Sequence, residues 1–142
     1  MSDRDFSVAD YPIAERRPET VRGARGRTLD DLNVEAVANG ELEMEDLRIT
    51  PQALLRQASI ARSAGRAALA DNFERAAEMT SLPQEEVMRV YELLRPGRSR
   101  GKQDLLEAAE TLRSQHRASR LADFVEQAAA VYEKRGLFRK RY

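Results

Sequence analysis

The stretch RITPQALLRQASIARSAGRAALADNFERAAEMT, residues 48–80, decides the fold. Thr50 offers a hydroxyl to orphan amide protons, and Pro51 lacks an N–H that a first helical turn would leave unbonded anyway, so a helix starts here. Leu54, Leu55, Ala58 and Ala61 recur at helical spacing and the pattern stops near Gly65. A second helix, about 66–80, places Leu69, Phe73, Ala76, Ala77 and Thr80 on one side, with Asp71, Glu74, Arg75 and Glu78 on the other. The two form a hairpin without cysteine, histidine or a glycine-rich phosphate loop. Its pattern speaks of packing.

Toward the C-terminus the helical period continues. Ser81 and Gln84 have the spacing of a capping box with Pro83 in the first turn, and Val87, Val90, Tyr91 and Leu94 follow until Pro96-Gly97. Beyond RPGRSRGK (95–102), Leu105, Leu106, Ala109 and Leu112 define another helix. The last carries Leu121, Phe124, Val125, Ala128 and Tyr132 and ends near Gly136. The segment from Leu54 can be laid over the segment from Leu105, pairing Leu54 with Leu105, Ala58 with Ala109 and Arg62 with Arg113. Phe73 then meets Phe124 and Ala77 meets Ala128. Two hairpins flanking a central helix give such a repeat.

Toward the N-terminus the period is lost. Residues 1–27 hold Pro12, Pro18, Gly23 and Gly26 among scattered charges, which predicts an extended arm, mobile or laid across another surface. Tyr11, Pro12 and Ile13 are its compact apolar cluster. Residues 28–49 read as short helical turns, with Thr28 and Asn33 as caps and Gly40 as a left-handed stop. The expected architecture is all-α. An irregular N-terminal arm with short helical turns (1–49) leads into an open up-and-down helical bundle (50–142).

The totals bound the function. A chain of 142 residues is a single-domain length. Its 42% apolar content is rich in alanine, with four Tyr, four Phe and no Trp, so the core is thin and suited to completion by a neighbour. Lys plus Arg equals Asp plus Glu at 24 each, which gives nucleic acid and membrane no net charge to attract. The halves differ, however: residues 1–50 carry −5 and residues 51–142 carry +5. With no cysteine there are no disulfides, thiolate nucleophiles or zinc-thiolate sites. Neither a secretory leader nor a run of about 20 apolar residues is present, so a soluble intracellular protein is expected.

No constellation of residues carries catalysis. His116 is the one histidine, falls in RSQHRAS and lacks the partners of a metal site or a general base; an exposed loop histidine is expected. Asp30, Asp31, Glu85 and Glu86 complement helix dipoles, and the carboxylates at 43–46 lack calcium-loop spacing. GARGRT (23–28) and RPGRSRGK lack the phosphate-loop spacing; RPGRSRGK and RGLFRKRY at the C-terminus are basic enough to touch RNA, but no series of stacking aromatics accompanies them and the total charge is zero. Two readings survive: a non-catalytic subunit docked on a larger enzyme, and a free-standing helical adaptor. The proline-punctuated arm and thin core favour the first.

The sequence resembles a family at this point. DYPIAERRPETV (10–21), TLDDLNVEAVANGELEMEDLRITPQALLRQASIARSAGR (28–66), LADNFERAAEMTSLPQEEVMRVYELLRP (69–96) and FVEQAAAVYEKR (124–135) are similar to the small, or gamma, subunit of adenosylcobalamin-dependent diol and glycerol dehydratases. The resemblance runs from about Asp10 to Arg135. It implies a helical small subunit in a heterohexamer with large and medium subunits. The large subunit is a barrel that holds substrate and a cation, and the cobalamin lies between the large and medium subunits. The holoenzyme converts propanediol, glycerol or ethanediol to an aldehyde and water by radical chemistry.

By that resemblance this chain carries no catalytic, cofactor-binding or metal residue, and packs on the large subunit. The docking candidates are Tyr11, Pro12 and Ile13 in the arm and Arg48 and Arg95 at helix boundaries, each arginine serving equally as an ordinary surface or capping residue. Some members carry a long extension before the DYP segment, associated with bacterial microcompartments. Only nine residues precede Asp10 here, so the cytoplasm is the expected location and microcompartment packaging the less supported one.

Overall fold

The computed structural model describes residues 5–138, and among them are seven α-helices and no β-strand. They are α1 (Ile13–Arg16), α2 (Val34–Ala38), α3 (Pro51–Ser63), α4 (Ala67–Met79), α5 (Gln84–Leu94), α6 (Lys102–His116) and α7 (Ser119–Arg135). The chain divides into two compact units, Met1–Thr80 and Ser81–Tyr142. The limit expected at 49/50 marks where irregular turns give way to long helices. Compactness is a different criterion, and it groups the first long hairpin with the residues before it.

In the first unit α3 starts as its sequence dictates. The Thr50 hydroxyl accepts from the Ala53 N–H at 3.2 Å with Pro51 in the first turn. The turn into α4 needs a left-handed residue, and Gly65 supplies it at φ +73°. Ala58, Ala61 and Ala70 fill the space between the two helices, with Leu69 and Phe73 partly buried beside them. Side chains this small let the axes approach closely.

The residues before α3 lie against it. Phe6 and Ile13 are buried with Ile60, and Val21 packs on them. The Arg17 and Arg56 guanidinium groups stand 5.2 and 5.3 Å from the Phe6 ring centre, an attractive cation–ring pairing. The Val8 N–H donates to the Ser63 hydroxyl at 2.9 Å, and Arg56 donates to the Thr20 carbonyl. Of the two states expected for the arm, this is the one laid across a surface, and the surface belongs to its own unit. Farther on, Asn33 caps α2 by accepting from the Ala36 N–H at 2.9 Å.

In the second unit α5 begins two residues later than its sequence suggests. Pro83 sits in the capping position with an extended ψ of 144°, which leaves Ser81 outside the helix, and no side chain caps it. The expected Ser81–Gln84 capping box is therefore absent. Helices α6 and α7 enclose a dry interior in which Leu105, Leu112 and Val125 have no exposed surface. Val90, Leu93 and Leu94 of α5 pack on it, and the Tyr132 hydroxyl donates to the Leu94 carbonyl. Gly136, at φ +64°, ends α7 where the sequence placed the stop.

The two hairpins repeat each other with a shift. Leu54, Ala58 and Ala61 of α3 correspond to the buried Leu105, Ala109 and Leu112 of α6. The left-handed residue is Gly65 in one turn and Arg117, at φ 55°, in the other, and the next residue is nearly superposable: Arg66 at φ −99°, ψ 61° and Ala118 at φ −93°, ψ 66°. One extra residue thus precedes the second turn. It moves the correspondence of the later helices to Ala70 with Ala122 and Ala77 with Ala129, all buried. Phe73 consequently pairs with the buried Val125, and Phe124, expected opposite it, is 40% exposed.

Candidate docking surface

Three of the five candidate residues come together in the first unit. A 3-10 turn, Val8–Asp10, leads into a cis Tyr11–Pro12 bond. Ser7 and Asp10 close that turn: the Asp10 carboxylate accepts from the Ser7 N–H at 2.9 Å and the Ser7 hydroxyl accepts from the Ala9 N–H. Arg17 bridges Asp10 at 3.2 Å and Glu19 at 2.8 Å. The Ser7 backbone N–H, aided by the Arg17 guanidinium, holds the Asp10 carboxyl below its usual range. Glu19 and Asp10 in turn raise the Arg17 pKa.

This bracing fixes Tyr11 as a ridge between two clefts, and the tyrosine itself is 59% exposed. On one side a cleft of about 310 Å³ is walled by Val8, Ile60, Ala61, Leu69 and Phe73, with Arg66 at its rim. On the other a cleft of about 390 Å³ is walled by Pro12, Ile13, Val21, Ile49 and Ala53. Ile13 serves twice, buried in the unit and lining that wall. Apolar walls of this shape accept hydrocarbon side chains, and Tyr11 offers a ring with a polar tip, the amphipathic character favoured at interfaces.

The two arginines stand apart from these clefts. Arg48 is exposed, follows the 3-10 turn Met44–Leu47 and uses its N–H on the Glu45 carbonyl at 3.3 Å; its neighbour Ile49 reaches the second cleft. Arg95 belongs to the second unit, where its guanidinium pairs with Glu92 at 3.0 Å within its own helix end. Val8 and Ile49, exposed at 52% and 60%, are cleft residues that sequence reasoning passed over. Ile49 was legible as an apolar residue just outside a helix start. Val8 carries no such signal, because its place depends on a bond to Ser63.

The other features have structural employment. His116 is half-buried as the last residue of α6, where a loop position was expected, and lies within electrostatic reach of Glu86. The Glu86 carboxyl is lowered chiefly by its hydrogen bonds from Arg89. In RPGRSRGK, Arg95 and Arg98 face Glu92, the Arg100 N–H donates to Asp104 at 2.7 Å, and Lys102 meets Glu133 at 2.7 Å. Ser99 is buried at its centre. This loop is a folded connector in which Arg95, Arg98 and Lys102 each have an acidic partner. RGLFRKRY runs past residue 138, and its last four residues lie outside the described ones. Among the described residues no group of three His, Cys, Asp or Glu is placed to hold a metal ion, and no helix is long and apolar enough to cross a membrane.

Comparison with known proteins gives the family. The family described as "Dehydratase small subunit" matches residues 6–139. The chain is 45% identical over 134 residues to the propanediol dehydratase small subunit of Salmonella typhimurium, covering 94% of this chain and 77% of that protein. It is 45% identical over 128 residues to the propanediol dehydratase small subunit of Citrobacter freundii, covering 90% of this chain and 74% of that one. The chain therefore belongs to the dehydratase small-subunit family.

Proposed function

We propose that this chain is the small, non-catalytic subunit of an adenosylcobalamin-dependent propanediol or glycerol dehydratase. It packs on and stabilises the large catalytic subunit of a heterohexamer, completed by a medium subunit, that turns 1,2-diols or glycerol into aldehydes and water. The likeness to two propanediol dehydratase small subunits supports propanediol as the substrate of the assembly. A cytoplasmic location accompanies this reading.

The observation that carries the docking role is the braced Tyr11 ridge. Phe6, Arg17 and Arg56 hold the N-terminal segment on α3, so both clefts exist before a partner arrives and little ordering entropy is lost on binding. A preformed aromatic ridge between apolar clefts is the kind of feature on which association energy concentrates.

In this reading adenosylcobalamin and the cation are held by the other subunits. The residues of this chain do not fit either group. Its sole histidine ends α6 without a second histidine or a cysteine beside it, and its larger clefts are walled by apolar side chains.

The test is co-expression with the large and medium subunits. The chain alone should not dehydrate a diol, while the three together should, with residues 5–21 protected from proteolysis in the complex. Tyr11→Ala should weaken the complex at least about tenfold. A purified chain that turns over propanediol by itself, or that ignores both companions in a pull-down, overturns the reading.

A further inference from the structure

Resting on the subunit reading above, a second surface can be assigned. We propose that residues 29–49 form an acidic, apolar docking strap that fits an apolar groove with a lysine- and arginine-rich rim on the large catalytic subunit.

The strap is built inside out. From Leu29 to Ile49 the only buried residues are Ala36 and the charged Asp46. The large apolar side chains point to solvent instead: Val34 is 86% exposed, Met44 71%, Val37 and Leu47 62% each, and Ile49 60%. Val34 and Val37 share a face of α2 by their spacing, and Met44 and Leu47 eclipse one another on the 3-10 turn. Single exposed apolar residues are ordinary, but a succession of five in sixteen residues is a surface awaiting cover.

Polar pins hold this shape. The Asp46 carboxylate, with no exposed side-chain surface, takes Arg25 at 2.9 Å and the Glu43 N–H at 2.9 Å, and Arg25 also reaches Glu43 at 3.2 Å. Arg27 donates to the Glu41 carbonyl at 2.9 Å. Gly23 passes so close that a Cβ there would lie 2.9 Å from the Asp46 carbonyl oxygen. Asp46 therefore faces inward and anchors, and the large hydrocarbon side chains are presented outward beside exposed carboxylates.

Charge names the chemistry of the partner. Thr28 to Leu47 contains seven carboxylates and no Lys or Arg. The carboxylates of Asp30, Glu35, Glu41 and Glu45 are exposed and meet no cation among the described residues, so a surface that carries lysine and arginine complements them. A second copy of this chain fits poorly. Two-fold pairing would set the acidic strap against itself, and head-to-tail pairing onto the basic half leaves open ends that grow.

The test uses the full chain with the large subunit and two variants. Val37→Glu with Leu47→Glu should weaken binding about tenfold or more, while the isolated variant keeps the helicity and melting midpoint of the parent. Glu35→Gln with Glu41→Gln and Glu45→Gln, at exposed positions, should slow association and flatten its dependence on salt. Wild-type binding to the large subunit with both variants unchanged overturns the strap and leaves the subunit reading intact. No binding by the wild type overturns both. Self-association of the wild type that the glutamates abolish, with large-subunit binding retained, also overturns it by giving the strap to a second copy.

Discussion

The two helical hairpins follow one plan and end in different states. In α6 and α7 the interior positions hold Leu105, Leu112 and Val125, none with exposed surface, and α5 lays Val90, Leu93 and Leu94 over them. In α3 and α4 the matching positions hold Leu54, Ala61 and Phe73, while Phe6 and Ile13 of the irregular segment pack on Ile60 of α3. The first hairpin keeps two open clefts about Tyr11. Exchanging a leucine for an alanine inside a hairpin removes hydrocarbon that would otherwise close it. One hairpin closes its interior with leucines; the other leaves clefts beside it.

The largest effect expected from this difference comes from a matched pair of truncations. Leu105→Ala removes a fully buried side chain from a closed interior, so little can relax into the gap, and a loss of about 4–5 kcal/mol is expected. Leu54→Ala, at the equivalent place in α3, opens a site already 7% exposed and next to loosely covered surface; about 2–3 kcal/mol is expected. Urea midpoints of the two variants, with amide exchange read helix by helix, measure both. Equal losses would mean that the first hairpin is as closed as the second, and would break the comparison.

Acid should separate the units next. The Asp10 carboxyl is lowered by the Ser7 N–H and Arg17, and the Asp31 carboxyl by the Thr28 N–H at 2.7 Å and the Thr28 hydroxyl at 2.9 Å. A carboxyl lowered in the folded chain stabilises it above the ordinary value near pH 4, and that contribution is lost as pH falls through the lowered value. Both groups tie down the irregular part of the first unit, whereas the α6/α7 interior rests on hydrocarbon that does not titrate. Amide exchange from pH 6 downward should therefore quicken in residues 5–31 before α6 and α7. Simultaneous quickening would contradict the assignment.

What could be read from the sequence was local. Thr50 and Asn33 cap, Gly65 and Gly136 stop, and the helical periods of α3 to α7 follow from residues within a few positions of one another. The contacts that turn residues 5–21 into a braced ridge are between distant parts of the chain. No periodicity connects Phe6 to Ile60 or Val8 to Ser63. The place of the one-residue shift between the hairpins escaped for a related reason. Arg117 takes the left-handed conformation that glycine usually marks, so nothing in its identity announces the extra residue. Among the candidate docking residues, Tyr11, Pro12 and Ile13 stand out in the sequence as the compact apolar cluster of the arm, and the structure brings them to the wall of one cleft. The outward-facing Val34, Val37, Met44 and Leu47 had a signal as well: apolar pairs three apart, in an acidic segment, with no second stripe to bury them.

The smallest effect concerns the feature the hairpins share most closely. Arg62 forks to Asp71 at 3.1 Å and Glu74 at 3.0 Å; Arg113 forks to Asp123 and Glu126 at 2.8 Å each. Asp71 with Asp123 and Glu74 with Glu126 are the pairings that the shifted register demands. In each case the carboxylates raise the arginine's pKa, with Asp71 the leading partner of Arg62 and Glu126 that of Arg113. Both forks are open to solvent, so water and salt screen most of what the geometry promises. Lysine keeps the charge and loses the planar fork that spans two carboxylates. Arg62→Lys and Arg113→Lys should therefore each lower the melting midpoint slightly and by similar amounts, with the loss shrinking as salt is added. The forks follow the register of each hairpin without deciding which one is closed. A much greater loss from Arg113→Lys would shift the cause of closure from the buried leucines to the ion pairs.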